Sequence, residues 1–243
     1  MIFIDNKEGL IGDFLGTIPA MQTLAKKEIV LVKIHPEASG LFQLIKSDRI
    51  SRITSYSDQM NPIILSSSEA FQIAVKKNYY MTQAFMEQAG LQVPIPAPKA
   101  KLTYNEEAYL HYEHIDYLLS PFARSLPEEQ KWPINKWLEL VRTLPGIKFG
   151  VLGNSKYDEK NIWLNEKNVV PLYNINFKDL CSIYKKSLGL ISVVTGTSHL
   201  AFHLGVKNIL LTNQNMTWGN NPDAIKITDY IPDITVEQII DKL

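Results

Sequence analysis

The sequence predicts an α/β protein built from two doubly wound, parallel-sheet domains that face each other across a cleft. Three observations carry this. Continuous apolar runs rich in Val, Ile and Leu recur along the chain and alternate with stretches of helical pattern, the signature of parallel strands covered on both faces. The alternation is interrupted once, at Val93-Pro94-Ile95-Pro96-Ala97-Pro98, where three prolines in five residues extend the chain. Finally, 243 residues at roughly 150 per domain allow between one and two domains.

In order, Ile2 to Ile4 reads as a first buried strand. Ile11 to Ala20 leads into a helix through about Lys27, with Pro19 placed where a first-turn proline is tolerated. Ile29-Val30-Leu31-Val32-Lys33-Ile34 is a strand buried on both faces, followed by a helix around Ala38 to Ile45. Short strands are expected near Arg52 to Thr54 and Ile63 to Leu65. Ser66-Ser67-Ser68 offers hydroxyl caps to one long helix, Ala70 to Ala89, stopped by Gly90. The domain connection is expected between Pro94 and Asp116, dividing the chain into 1–110 and 111–243. The second half restarts with strand Tyr117-Leu118-Leu119-Ser120 and a helix from Ile134 to Leu144. Strand Lys148 to Leu152, a short helix near Glu159 to Leu164, strand Val169 to Leu172 and a helix from Phe177 to Lys186 follow. Leu188 to Val194 is a buried strand, Thr197 to Leu204 a helix ended by Gly205, and Asn208 to Thr212 another strand. A helix from Val236 to Leu243 closes the chain and is expected to pack back toward the first domain.

The totals narrow the function. With 25 basic and 25 acidic residues, the chain lacks the basic excess from which nucleic-acid binders draw most of their affinity. The lone cysteine, Cys181, forms no internal disulfide and excludes multi-cysteine metal sites. Its helical context makes it a small core residue. No apolar run approaches the roughly 20 residues of a membrane helix, and Met1-Ile2-Phe3-Ile4-Asp5 is a strand rather than a signal peptide. The expectation is a cytoplasmic protein, with peripheral membrane contact left open.

Four places hold candidate chemistry. Thr195-Gly196-Thr197-Ser198-His199 joins a buried strand to a helix. A helix N-terminus presents unpaired N–H groups and partial positive charge, so it suits phosphate; an ordinary hydroxyl-capped turn explains it equally well. His199 and His203 have the i,i+4 spacing of one helix face, but no third metal ligand is evident, and a packed or capping histidine is the plainer reading. Asp13 follows the first strand, at the carboxyl edge of the first sheet. It is either a helix-capping aspartate or a general base that takes the proton of an acceptor hydroxyl. Lys131, in Lys131-Trp132-Pro133, is placed to contact phosphate oxygens.

Taken together, these segments resemble the lipopolysaccharide heptosyltransferases, which move heptose from ADP-heptose to lipopolysaccharide cores and have the two-domain GT-B architecture. Ile11 to Ala20 resembles the family's opening glycine-aspartate motif with its Pro-Ala. Lys131-Trp132-Pro133, with Trp137, resembles the stretch that opens the nucleotide-binding domain. Ser192 to Ala201 resembles the Asp-Thr-Gly-x-x-His-Leu-Ala signature. The resemblance implies a metal-independent, inverting glycosyltransferase that needs no cofactor beyond its nucleotide-sugar donor, with ADP as the implied nucleotide. Asp13 would be the catalytic base; Arg124, Lys131, Thr195, Gly196, Thr197 and His199 would hold the donor. The partners would be that donor and a saccharide or other hydroxyl acceptor; the oligomeric state is unreadable. One position departs: where the family has aspartate before Thr-Gly, this chain has Val194. That keeps two alternatives in view. One is a non-catalytic nucleotide-sugar-binding relative. The other is a nucleotide-sugar epimerase of the same architecture, although no paired carboxylates stand at suitable positions.

Overall fold

A computed structural model describes the chain except residues 7–9, 56–61, 124–125, 157, 159 and 214–220. The first half runs β1 (Ile2–Asn6), α1 (Ile11–Leu24), β2 (Val30–Ile34), a 3-10 segment (Pro36–Leu44), β3 (Ile50–Arg52), β4 (Ile63–Ile64), α2 (Ser67–Lys77) and α3 (Met81–Gln88). Its strands form a parallel sheet in the order β3-β2-β1-β4. The second half runs β5 (Tyr117–Ser120), α4 (Ile134–Thr143), β6 (Phe149–Gly153), β7 (Val169–Tyr173), α5 (Phe177–Lys186), β8 (Gly189–Val193), α6 (Gly196–Leu204), β9 (Asn208–Thr212), β10 (Ile225–Thr228) and α7 (Val236–Ile240). These strands form a second parallel sheet, ordered β10-β9-β8-β5-β6-β7. Two separate parallel sheets with helices around them make the expected α/β fold.

Both orders reverse direction once. In the second sheet the chain builds outward from β5 to β7, returns, and builds outward again from β8 to β10. The switch lies between β5 and β8. In the first sheet it lies between β1 and β4. At such a point the loops leaving neighbouring strands part company and open a crevice at the carboxyl edge, where doubly wound sheets bind ligands.

Side-chain alternation along the strands explains how both faces of the second sheet are covered. Tyr117 and Leu119 of β5, and Ile191 and Val193 of β8, point into one core with Trp137, Leu140 and Val141 of α4. Leu118 and Leu190 point to the opposite face, into a core shared with α5, α6, α1 and the first sheet. That second core runs from Ile4 and Val32 of the first sheet to Leu200 and Leu204 of α6, so apolar packing joins the two halves. Cys181 lies inside it with no exposure, and burial pushes its thiol up to about 12, which makes it an inert core residue. The linker is tied to both halves: Gln22 exchanges hydrogen bonds of 2.7 and 3.0 Å with the Lys101 backbone, and the Ala100 N–H donates to His203.

Several elements depart from the sequence reading. The long helix Ala70 to Ala89 is two helices. Asn78 takes the left-handed conformation (φ 54) and ends α2, and Tyr80 precedes α3 with its ring buried against α6. Asparagine tolerates that conformation well, and the turn it makes sends Tyr80 into the interface between halves. The terminal helix does not return to the first domain. Val236 and Ile239 of α7 lie in the core of the second sheet, and the helix packs on α4. The segments near Ala38 to Ile45 and Glu159 to Leu164 are 3-10 turns, Pro36–Leu44 and Lys160–Trp163. The edge strand β10 has no clear sequence signal, because Ile225-Lys226-Ile227-Thr228 buries only Ile227. No helix among the described residues is long and apolar enough to cross a membrane.

Candidate functional site

Asp13 sits in the first turn of α1, beside the switch point of the first sheet. Leu10, the residue before the helix, has no side chain that can cap it. The Asp13 carboxylate does this instead, accepting from the Leu10 N–H at 3.3 Å. Burial holds the Asp13 carboxyl above its ordinary value, and the Ser67 side chain and the Leu10 amide pull only partly the other way. Ser67 opens α2 directly after β4, and its buried hydroxyl lies near the carboxylate without full hydrogen-bond geometry. Capping and raised basicity are therefore properties of the same carboxylate.

Across from it, the turn from β8 into α6 is lined with hydroxyls. Ser198 Oγ accepts from the Thr195 N–H at 3.2 Å and donates to the Thr195 carbonyl at 2.7 Å, which fixes the turn. Thr195 and Thr197 share a hydrogen bond through their hydroxyls, and Thr197 Oγ1 donates to Ser120 Oγ at 2.8 Å. Ser120 is the last residue of β5, so this hydroxyl chain spans the switch point of the second sheet.

Two glycines let the helix starts meet. A Cβ added to Gly196 would lie 2.7 Å from Ile11 Cγ2 and 3.3 Å from the Gly12 nitrogen. A Cβ on Gly12 would lie 2.8 Å from His199 Cδ2. Gly196 is thus used by the protein itself, to bring α6 against α1. The contact places the residue next to Asp13 against the residue next to Thr197, so the crevices of the two sheets adjoin.

His199 is 8% exposed, with Nδ1 2.5 Å from the Tyr80 hydroxyl. Burial lowers its pKa to about 4, so at neutral pH it carries no charge and is no cationic diphosphate clamp. His203 is held differently: its Nδ1 accepts from the Ala100 N–H at 3.0 Å, and its buried Nε2 has no hydrogen-bond partner among the described residues. Burial, then His199 and Lys99, push its pKa down to about 3. The i,i+4 pair is two separately held packing residues. Among the described residues no three His, Cys, Asp or Glu side chains gather as metal ligands.

Lys131 lies on a cleft of about 450 Å³ that begins just past Ser120 and is lined by Pro121, Phe122, Trp132, Pro133 and Asp158. Its ammonium pairs with Glu128 at 2.7 Å. Lysine and flat apolar walls in one cleft suit a nucleotide, with the amine available to phosphate once it leaves Glu128. Arg124 falls outside the described residues. Val194 is 7% exposed and packs on Leu210, with Leu126 and Ala224 at the edge.

The structure thus brings together Asp13, Thr195, Gly196, Thr197 and His199, with Lys131 on the adjoining cleft. Sequence reasoning misses Ser120, Ser67 and Tyr80. Ser120 ends a strand whose position at the switch point depends on a strand order that no local pattern reveals. Tyr80 is hidden inside what reads as continuous helix.

No protein-family profile and no curated protein sequence matches the chain. Solved structures do. E. coli heptosyltransferase WaaC with ADP aligns at a TM-score of 0.68 and 14% identity, covering 100% of this chain and 97% of that one. A glycosyl transferase of family 9 from Veillonella parvula aligns at 0.74 and 12% identity, over 98% and 94%. E. coli ADP-heptose lipopolysaccharide heptosyltransferase II aligns at 0.69 and 13% identity, over 100% and 97%. Over its full length, this chain has the two-domain GT-B fold of these glycosyltransferase structures.

Proposed function

We propose that the protein is a heptosyltransferase-like glycosyltransferase, which moves a sugar from a nucleotide-diphosphate donor to a hydroxyl acceptor with inversion and without a metal. The observation that carries this is the meeting of the two switch points. Helix α1, with a carboxylate of raised basicity in its first turn, meets the hydroxyl-lined start of α6 through Gly12 and Gly196. The acceptor hydroxyl loses its proton to Asp13 as its oxygen attacks the anomeric carbon. The bond from that carbon to the diphosphate breaks on the opposite face. The departing charge is received by the N–H groups at the start of α6, by the Ser120 hydroxyl that ends the chain from Thr195 through Thr197, and by Lys131. The nucleoside lies in the cleft beside Trp132 and Pro133. ADP is the first nucleotide to try, because a solved neighbour of this fold is described with it.

Val194 favours a second reading, a relative that binds the nucleotide sugar without turning it over. Its side chain fills an apolar niche and supplies no carboxylate at the entrance to α6. One experiment separates the two. Nucleotides and nucleotide sugars are screened by thermal shift, since a ligand of the folded state raises apparent stability with its concentration. The best donor is then assayed for released nucleoside diphosphate with and without saccharide acceptors. Acceptor-dependent release supports the transferase; saturable binding without release under any acceptor supports the binding module. No stabilisation by any nucleotide would remove both.

A further inference from the structure

We propose that Tyr80, on the first domain, is a positioning residue that fixes His199 of the second domain with its single proton on Nε2, so that the ring offers an N–H to an oxygen of the donor where α1 and α6 meet. Only the use of that N–H rests on the donor-binding reading above; the tautomer and its cause stand without it.

The geometry leaves two ways to place the protons. Tyr80 is 4% exposed, and its hydroxyl has one partner among the described residues, His199 Nδ1 at 2.5 Å. If Nδ1 carried the proton, the Tyr80 oxygen would accept it and the phenol's own hydrogen would be buried with no acceptor. A buried donor left unmade is costly. If Tyr80 donates to Nδ1 instead, both atoms are satisfied and the ring proton sits on Nε2. The phenol is held for this role: its ring stacks on the imidazole with centroids 5.5 Å apart, and meets Phe202 edge-on at 4.8 Å.

The second histidine of α6 shows the same device without ambiguity. His203 Nδ1 accepts from a backbone N–H, which can only donate, so its proton is on Nε2. There the N–H is buried, with no partner among the described residues. On His199 it points elsewhere. A Cβ on Gly12 would lie 3.3 Å from Nε2, which has no protein partner among the described residues. That atom is therefore directed at the start of α1, beside Asp13. With the pKa of the ring held at about 4, the N–H persists across the neutral range as a donor without charge. Because Tyr80 and His199 belong to different domains, the proton is placed only when the domains are in contact.

Long-range ¹H–¹⁵N correlation of the full chain with ¹⁵N-labelled histidine tests this, with His199 assigned through His199→Gln. In the wild type at neutral pH, His199 and His203 should both show an unprotonated Nδ1 and a protonated Nε2. In Tyr80→Phe the His199 nitrogens should move toward a mixture of tautomers while those of His203 stay, which doubles as a check on folding. The Michaelis constant for a verified donor should rise roughly tenfold, the scale of one lost hydrogen bond, with a smaller change in kcat. A proton on Nδ1 of wild-type His199, or unmoved His199 signals in Tyr80→Phe, would overturn the proposal. The wild-type spectrum decides the tautomer by itself if Tyr80→Phe folds poorly. Expected ring signals with no binding of ADP would instead sink the donor-site reading and leave Tyr80's control of the tautomer standing.

Discussion

The two sheets open at equivalent points, yet their helix starts carry different chemistry. The start of α1 offers a single carboxylate, held near its own backbone and kept basic by burial. The start of α6 offers Thr195, Thr197 and the neighbouring Ser120, with no ionised side chain and a histidine that burial keeps neutral. A carboxylate can take a proton and is a poor neighbour for a diphosphate. Hydroxyls and N–H groups receive an anion and cannot serve as a base at neutral pH. On the proposed reading, the contrast would place proton removal on the first half and leaving-group stabilisation on the second, where Gly12 and Gly196 bring the two helix starts together.

Asp13→Asn should break this comparison most sharply. Asparagine keeps the shape and the capping role but cannot take a proton, so turnover should fall by roughly a hundredfold to ten-thousandfold in a donor-release assay, with the melting temperature almost unchanged. If Asp13 only caps α1, the same change will be nearly silent.

Acid should act next, through the opposite domain. His199 and His203 have folded pKa values of about 4 and about 3, below the 6.5 of a free histidine. As pH falls below 6.5 the unfolded chain takes up protons that the folded chain refuses. The stability these groups confer is thus complete above 6.5 and is lost as pH drops toward their folded values. Each costs about 1.4 kcal/mol per pH unit within its window. Urea titrations from pH 7 to 5 should show this loss, reduced in His203→Gln. A flat profile would mean that the histidines are not buried neutral. The raised Asp13 value works in the other direction, since the folded state there holds its proton longer as pH rises.

Smaller effects sharpen the account of the glycines. Gly196→Ala places a methyl 2.7 Å from Ile11 and should cost about 1–3 kcal/mol as an overpacked contact, with turnover falling alongside. Gly146→Ala, where nothing lies within 4 Å, should change stability by less than about 0.5 kcal/mol. Equal effects at both positions, measured by denaturant titration, would remove the close-approach explanation for Gly196.

Much of this architecture is legible in the residues alone. Runs such as Ile29 to Ile34 and Leu188 to Val194 read as strands; β8 is buried along its whole length, whereas β2 buries Val30, Val32 and Ile34 and leaves Leu31 and Lys33 half-buried, so only β8 is covered fully on both faces. The turn at Thr195 to His199 and the position of Asp13 follow from where strands end. What the residues keep closed depends on long-range geometry. The pattern of Ala70 to Ala89 suits a helix throughout, and only the contact of Tyr80 with α6 gives the break at Asn78 its purpose. His199 reads locally as a packed or capping histidine, and only the resemblance makes it a donor ligand. That it is neutral and wedged against Gly12 follows from the packing of two domains. Ser120 is an ordinary strand end until the order β10-β9-β8-β5-β6-β7 places it beside Thr197.

The division of labour is tested most directly by titration calorimetry of ADP into wild type, Asp13→Asn and Thr197→Val. Thr197→Val should weaken ADP binding about fivefold to tenfold, because it removes one hydroxyl and leaves Ser120 without its donor. Asp13→Asn should bind ADP at least as tightly as wild type, despite its loss of turnover. A reversed pattern, with ADP binding lost in Asp13→Asn and untouched in Thr197→Val, would contradict the assignment of base and donor site to opposite domains.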